Sequence, residues 1–526
     1  RHGKAKIEYF NKVWNGDELN TITLNLPSMD YQTIHDFYVI NEVPKSRFEN
    51  QRSQFYDDFF KNKNRENNVE EFELYDHQKE ALKSWKNNHY KGILALATGS
   101  GKTVTAIHAI KKISEALTTQ EPPISLCIVV AVPYIVLADQ WVSELRKHAD
   151  ISPVKCYDSS RKWFSKLNEK IGNFNLGNIK VLPIVVVNAT LGGEKFISQL
   201  NRINSNPNGK LFIVTDECHH HANTTLIKKL PEADFIMGLS ATPWSSKDTT
   251  SKDILMSYYG DIIATFSLDD ALDRGVLCQY KYYIHEVGFN TEEAEIYLDL
   301  TNKIAPLYAR KCKSNLSQKD ELILQNLIFK RSRHLDSIED KFIILDRLLK
   351  YKQPSPYKLF YCGSGYQIGD VDEKITDKEV LKTIDKITTI LHQNNWKVSK
   401  FTSQETHKQR VVILDTFKKG QIDAIAAIKV LDEGFDIPMC DEAYITASST
   451  NERQWVQRRG RILRKSKGKE IAIIHDFVIT GVSNSNAFNG LVSNELKRVE
   501  NFYSSCSNKD EVLPMIETIK KTHNID

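Results

Sequence analysis

The sequence predicts an α/β chain of two tandem parallel-sheet domains, with a helical insertion in the second and a helical C-terminal tail. Three observations predict it. Short apolar runs recur along the chain, as strands buried on both faces of a parallel sheet require. Amphipathic, helix-like stretches separate these runs, and such alternation builds α/β layers. Over about 290–351 the alternation gives way to charged helical pattern without a strand signal.

Residues 1–70 read as an N-terminal extension or linker, with a polar, Asn/Lys/Arg-rich stretch over Gln51–Val69. The first domain, 71–268, carries strand-like runs at Gly92–Thr98, Leu126–Pro133, Val181–Thr190, Lys210–Glu217 and Phe235–Thr242. Helical patterns at Thr103–Ala116 and Ile135–His148 fall between them. The second domain, 269–480, holds the helical insertion and then runs at Lys358–Gly363, Lys397–Thr402, Ile422–Leu431, Glu442–Ala447 and Glu470–Phe477. Its interleaved helices are expected at Asp372–Gln393 and Thr406–Lys418, and residues 481–526 form the tail.

Composition limits the function classes. With 526 residues the chain is long enough for about three domains, each burying its own core. A net charge of +4 neither demands nor forbids a nucleic-acid partner, because a local basic groove is easily offset elsewhere. The eight cysteines (127, 156, 218, 278, 312, 362, 440 and 506) never fall at CxxC spacing. That argues against a zinc finger and fits a reducing, cytoplasmic setting. No apolar run approaches the roughly 20 residues that cross a bilayer, and no signal peptide is expected. The chain starts at Arg1 rather than Met, so an upstream segment of a longer protein is expected.

The strongest chemical signal is Leu96-Ala97-Thr98-Gly99-Ser100-Gly101-Lys102-Thr103, which follows an apolar strand and opens a helix. That context suits a phosphate-binding loop. Gly99 and Gly101 let the backbone curl so that N–H groups face phosphates, and the helix N-terminus adds positive potential. Lys102 is placed to reach the β/γ-phosphates of ATP, and Thr103 to ligate Mg²⁺. The strict loop pattern begins with Gly, where this chain has Leu96.

The second signal is Asp216-Glu217-Cys218-His219, a DECH box closing the run Leu211–Thr215. An apolar strand ending in two acids puts carboxylates at the sheet edge where open α/β folds bind ligands. Asp216 is the expected Mg²⁺ ligand, and Glu217 the group that orients and deprotonates the attacking water. His219-His220-His221 invites a metal reading, but adjacent histidines on a turn do not converge on one ion. No metal beyond the nucleotide's Mg²⁺ is expected.

A third signal lies in the second half. Ser449-Thr450-Asn451-Glu452 fits a capping box. On the helix it starts, Gln457, Arg461 and Arg464 are spaced to share one face. Arginines aimed at a γ-phosphate accelerate hydrolysis by about 10³–10⁵, roughly 4–7 kcal/mol of barrier.

With these motifs in order, the chain resembles superfamily 2 helicases and translocases, most of all the branch of XPB-type repair helicases and type I and type III restriction motor subunits. The resemblance covers about Leu74–Phe477 and implies RecA-like domains closing around one nucleotide. Leu74-Tyr75-Asp76-His77-Gln78 looks like the adenine-reading motif, with Gln78 as base contact. The phosphate loop (Thr98, Gly99, Ser100, Gly101, Lys102, Thr103) is motif I. Pro133 with Leu137, Gln140 and Trp141 resembles motif Ia, and Asn188-Ala189-Thr190 the next nucleic-acid motif. The DECH box is motif II, and Ser240-Ala241-Thr242-Pro243 motif III. Tyr361-Cys362-Gly363 looks like motif IV, Gly434–Pro438 like motif V and Gln457–Arg464 like motif VI.

The resemblance further implies catalytic roles for Lys102, Asp216, Glu217, Gln457, Arg461 and Arg464. It implies nucleotide contacts from Gly434 and Asp436, and coupling by His219, Ser240 and Thr242. Nucleic acid would meet Pro133, Gln140, Asn188, Thr190, Thr402 and Arg410, with Arg310–Lys313, Lys330–Arg333 and Arg464–Lys469 as groove candidates. The expected function is an ATP-dependent DNA helicase or double-strand translocase, driving a repair, restriction or phage-defence system. An RNA-dependent ATPase or duplex-RNA sensor is the alternative, and a non-catalytic relic a third. His2-Gly3-Lys4 echoes half of a phospholipase-D-like nuclease motif whose downstream partners are absent. Any cutting is therefore expected from another domain or subunit.

Overall fold

In the computed structural model the described residues are 73–203, 206, 208–244, 248–313, 316–363, 378–402, 404–428, 437–447, 452–482 and 486–525. The expectations for 1–70, Gly434, Asp436 and the cap residues Ser449–Asn451 lie outside them. The chain divides into two compact units, meeting in sequence between Leu277 and Cys278.

In the first unit seven parallel strands are described: β1 (Lys91–Leu96), β2 (Ser125–Val132), β3 (Val154–Cys156), β4 (Val181–Val187), β5 (Gly209–Asp216), β6 (Phe235–Ser240) and β7 (Ile262–Phe266). They lie in the order β3-β4-β2-β5-β6-β1-β7. β2 sits near the centre, with Val129 opposite Ile184 on one side and Ile213 on the other. All eight of its residues are buried, which is why its sequence is apolar throughout after Ser125. The helix Ser160–Asn175 covers one face through Trp163, Leu167, Ile171 and Phe174.

In the second unit six parallel strands are described: β8 (Gln279–Gly288), β9 (Lys358–Cys362), β10 (Val398–Phe401), β11 (Ala424–Ile428), β12 (Glu442–Ile445) and β13 (Ile471–Gly481). Their order is β10-β11-β9-β12-β13-β8. The helices Thr291–Lys313 and Gln318–Asp336 form a hairpin around Ile304, Leu307 and Leu324. The next helix, Glu339–Lys350, returns to the body of the unit through buried Phe342, Leu345 and Leu349.

Three strands escape the sequence pattern. β3 has only three residues, and β7 is a half-buried edge strand. β8 alternates, burying Tyr280, Tyr282 and Ile284 between polar neighbours, because an edge strand need not be apolar throughout. The run expected over Val181–Thr190 stops at Val187, and Asn188 opens a short helical turn, Asn188–Leu191.

The tail helices Asn489–Tyr503 and Lys509–His523 are part of the second unit's core. Arg498, 1 % exposed, donates to both carboxylate oxygens of Asp476 on β13 at 3.0 Å and to Glu495 at 2.8 and 3.2 Å. Tyr282 on β8 donates to the same Asp476 at 2.7 Å.

Candidate active site

The site is built at the C-terminal edge of the first sheet, where β1 and β5 flank β6. β1 ends at Leu96, and the chain curls through Gly99 (φ +88°) and Gly101 (φ +89°) into the helix Lys102–Thr118. Left-handed backbone at two glycines turns successive N–H groups toward one concavity, an arrangement that holds anions. Within this loop Ser100 Oγ donates to the Ala97 carbonyl at 2.7 Å, and Lys102 Nζ to that of Leu96 at 3.2 Å. Thr98, Ser100 and Lys102 are buried, and Thr103 lies on the helix's first turn, half-buried.

Gln78 is tied to this loop. Its Oε1 accepts from the Tyr75 N–H at 2.8 Å, and its Nε2 donates to the Gly101 carbonyl at 3.1 Å. His77 Nε2 sits 2.9 Å from the Ser100 carbonyl, and its ring stacks on Phe266 of β7 at 3.9 Å. The expected base-reading residue is thus fastened to the expected phosphate loop.

Asp216 ends β5, 4 % exposed. Its Oδ2 accepts from Trp141 Nε1 at 2.8 Å, and its Oδ1 from the Glu217 N–H at 3.0 Å. Burial, and next the charge of Glu217, push its pKa up to about 6, while the Lys102 ammonium pulls the other way. A carboxylate oxygen accepting one hydrogen bond keeps a further lone pair. Together with the loop's N–H groups and Lys102, this donor set fits a nucleoside triphosphate and its divalent cation.

Glu217 adopts φ +49°, ψ +51°, a left-handed backbone for a non-glycine residue. The turn redirects the chain into a 3₁₀ segment, Cys218–His221. His219 Nδ1 lies 3.4 Å from Glu217 Oε2 and 3.1 Å from Ser240 Oγ, and the Thr242 N–H donates to the same Oγ at 3.2 Å. His219, Ser240 and Thr242, grouped by resemblance alone, are in contact.

Other expected residues fall differently. Pro133 and Gln140 are half-buried, before and within the helix Ile135–Ala149. Trp141 is fully buried, so it offers no stacking surface and serves Asp216 instead. Asn188 Oδ1 lies 2.8 Å from buried His221 Nε2, and Thr190 is half-buried two residues on. The sequence pattern marks neither His221 nor its partner Tyr259 as a site residue. Nothing in the spacing of His221 distinguishes it from its two histidine neighbours.

In the second unit Arg410 donates to the Thr402 carbonyl at 2.7 Å, while the Thr402 hydroxyl donates to Glu405 at 2.8 Å. The helix Glu452–Ile462 carries Gln457, half-buried, and Arg461, 8 % exposed. Arg464 lies two residues past its end, so the three do not share one helical face. Just past that end the Leu463 carbonyl accepts from the Cys278 N–H at 2.9 Å. Lys469 then donates to the carbonyls of Ile462, Arg464 and Pro438. Lys469 thereby leaves the list of groove cations. Arg310 and Lys311 pair with Asp320 and Glu321 of the neighbouring hairpin helix.

Two family models match the chain: the res subunit of type III restriction enzymes over residues 71–245 and the helicase conserved C-terminal domain over 374–466. The DNA 3'-5' translocase XPB2 of Sulfurisphaera tokodaii is 25 % identical over 418 residues, covering 77 % of this chain and 81 % of that protein. A putative ATP-dependent RNA helicase of Methanocaldococcus jannaschii is 22 % identical, covering 73 % of this chain and 56 % of that one. Among solved structures, the ATP-dependent type ISP restriction-modification enzyme LlaBIII bound to DNA matches with a TM-score of 0.53 at 18 % identity. That match covers 82 % of this chain but only 30 % of the enzyme, so the chain corresponds to one part of it. No helix among the described residues is long and apolar enough to cross a membrane.

Proposed function

The chain belongs to superfamily 2 of the ATP-hydrolysing helicases and translocases, in the branch of XPB-type translocases and restriction-enzyme motors, and on that premise we propose that it is a motor driven along DNA by ATP hydrolysis. The observation that carries this reading is the meeting of the phosphate loop, Ser240 and Asp216-Glu217 at the ends of three adjacent strands, β1, β6 and β5. Lys102 influences the ionisation of Asp216 there, and His219 touches both Glu217 and Ser240.

In this reading Gln78 contacts the adenine, the loop N–H groups and Lys102 hold the phosphates, and Thr103 and Asp216 hold Mg²⁺. When bound, the cation would supply positive charge that neutralises the phosphates. Glu217 orients the attacking water and takes its proton. Gln457, Arg461 and Arg464 complete hydrolysis from the second unit, with Gly434 and Asp436 on the nucleotide. His219, Ser240 and Thr242 relay the state of the site to the nucleic acid, which meets Pro133, Gln140, Asn188, Thr190, Thr402 and Arg410. The DNA preference is supported by the DNA translocase among the relatives and the restriction enzyme among the structures. A nuclease domain or subunit is the expected partner for a motor of restriction type.

The test is ATP turnover with single-stranded, duplex and forked DNA and with RNA, side by side. DNA is expected to stimulate strongly, with more ATP consumed than strands separated. Preferential stimulation by RNA would transfer the motor to that polymer, and equal rates with and without every polynucleotide would refute the motor reading. Glu217→Gln is the control: turnover falls by about 10²–10⁴ while nucleotide binding persists.

A further inference from the structure

A second buried hydrogen-bonded chain lies behind the hydrolysis edge of the first unit, separate from the His219–Ser240–Thr242 contact. The hydroxyls of Tyr259 and Thr215 are 2.9 Å apart. Tyr259 Oη is 2.6 Å from His221 Nδ1, and His221 Nε2 is 2.8 Å from Asn188 Oδ1. Thr215, His221 and Tyr259 are 0 % exposed. The four side chains come from four segments: the end of β5, the 3₁₀ turn, the last residue of the helix Thr249–Tyr259, and the first residue after β4.

Their order matters. Thr215 precedes Asp216 on β5, and His221 ends the turn that carries Glu217 and His219. Asn188 opens the segment assigned to nucleic acid by resemblance. Burial holds the His221 imidazole down to about 3, so at neutral pH one ring nitrogen donates and the other accepts. The bond made at Asn188 therefore fixes the tautomer, and the tautomer fixes the sense of the bond to Tyr259. The Asn188 amide nitrogen is itself buried without a hydrogen-bond partner among the described residues. The Asn188 end is the loosely held end of the chain, and a shift there requires the bonds behind it to re-form.

We propose that His221 is a positioning residue that, through Tyr259 and Thr215, transmits the state of the Asn188–Thr190 segment to the strand end carrying Asp216 and Glu217. It is a second route beside Ser240, and it rests on the motor reading above. Nucleic acid bound against Asn188–Thr190 biases one arrangement of the chain. By linkage, nucleotide bound at Asp216 biases the affinity for nucleic acid by the same factor.

The test uses the whole chain, ATP and duplex DNA as probe. Tyr259→Phe removes one hydroxyl and keeps the ring, and Thr215→Val breaks the same chain at its other end. Each is measured for basal turnover, DNA-stimulated turnover, KM for ATP without DNA, and thermal unfolding. The expected result for both is a stimulation ratio at least about fivefold lower, with basal turnover and KM within about twofold. His221→Ala is expected to lose the ratio and His221→Gln, which keeps a donor and an acceptor, to recover part of it. A stimulation ratio unchanged in Tyr259→Phe and Thr215→Val, whatever their unfolding temperatures, overturns the relay and leaves the motor reading standing. A proportional fall of basal and stimulated turnover also overturns it, since the chain then only holds Asp216 in place. A wild type that DNA does not stimulate overturns the motor reading and the relay together.

Discussion

The indole N–H of Trp141 donates to Asp216 Oδ2 at 2.8 Å, fastening the helix after β2 to the acid that ends β5. Both groups are buried, so this hydrogen bond to a charged acceptor is not replaced by water when lost. Trp141→Phe keeps most of the packing and removes the donor. Turnover is expected to fall about tenfold, and stability by about 1–3 kcal/mol. Steady-state kinetics with a urea titration check this. Unaltered kcat would show that the indole is only filler.

Gly101 has two reasons to be glycine. Its φ of +89° is unfavourable for other residues, and a Cβ there would lie 2.5 Å from Gln78 Nε2. Gly101→Ala is expected to weaken ATP binding by about 5- to 150-fold, since backbone strain alone costs about 1–3 kcal/mol. Adding Gln78→Ala removes the clash but not the strain. The double variant should regain only the part of the stability lost to the clash, as thermal unfolding will report. Full recovery of stability would mean that the close contact, not the backbone, dictates the glycine.

Glu442, 3 % exposed on β12, gives the second unit an acid-sensitive support. Burial by itself would raise its pKa, but hydrogen bonds from His475, Lys352 and Tyr444 outweigh it and hold the carboxyl at about 2. A folded-state pKa below the unfolded value adds stability that is present above about 4.5 and lost as pH falls toward 2. The contribution is of order 3 kcal/mol. Glu442→Gln should therefore lower the urea midpoint at pH 7, with the gap to the wild type closing between pH 4.5 and 2. A gap that is constant with pH would place the effect in packing.

Arg498 joins the tail to the sheet through Asp476 and Glu495, all three buried. Arg498→Met leaves two buried carboxylates without their cation, a loss of about 3–5 kcal/mol. The second unit should unfold earlier on heating while the first keeps its own transition. Calorimetry resolving the two transitions checks this, and an unmoved second transition would make the tail a mere appendage.

Much of this was legible in the sequence because the signals are local. Glycines at 99 and 101, a strand before them and a helix after them dictate a tight curl wherever the segment sits. Two acids closing an apolar run dictate carboxylates at a sheet edge. What local pattern could not reveal is who meets whom. Trp141 and Asp216 are 75 residues apart, and His221 and Asn188 are 33 apart. Their contacts exist only because parallel strands bring distant loops to one edge. The same holds for Arg464: periodicity extends a helical face indefinitely, but the helix ends at Ile462 and the Leu463 carbonyl meets Cys278, just ahead of β8. Chemistry written into short motifs was fixed by the chain alone. The partners that tune it, and the points where elements stop, were decided by hydrogen-bond competition in the folded sheet.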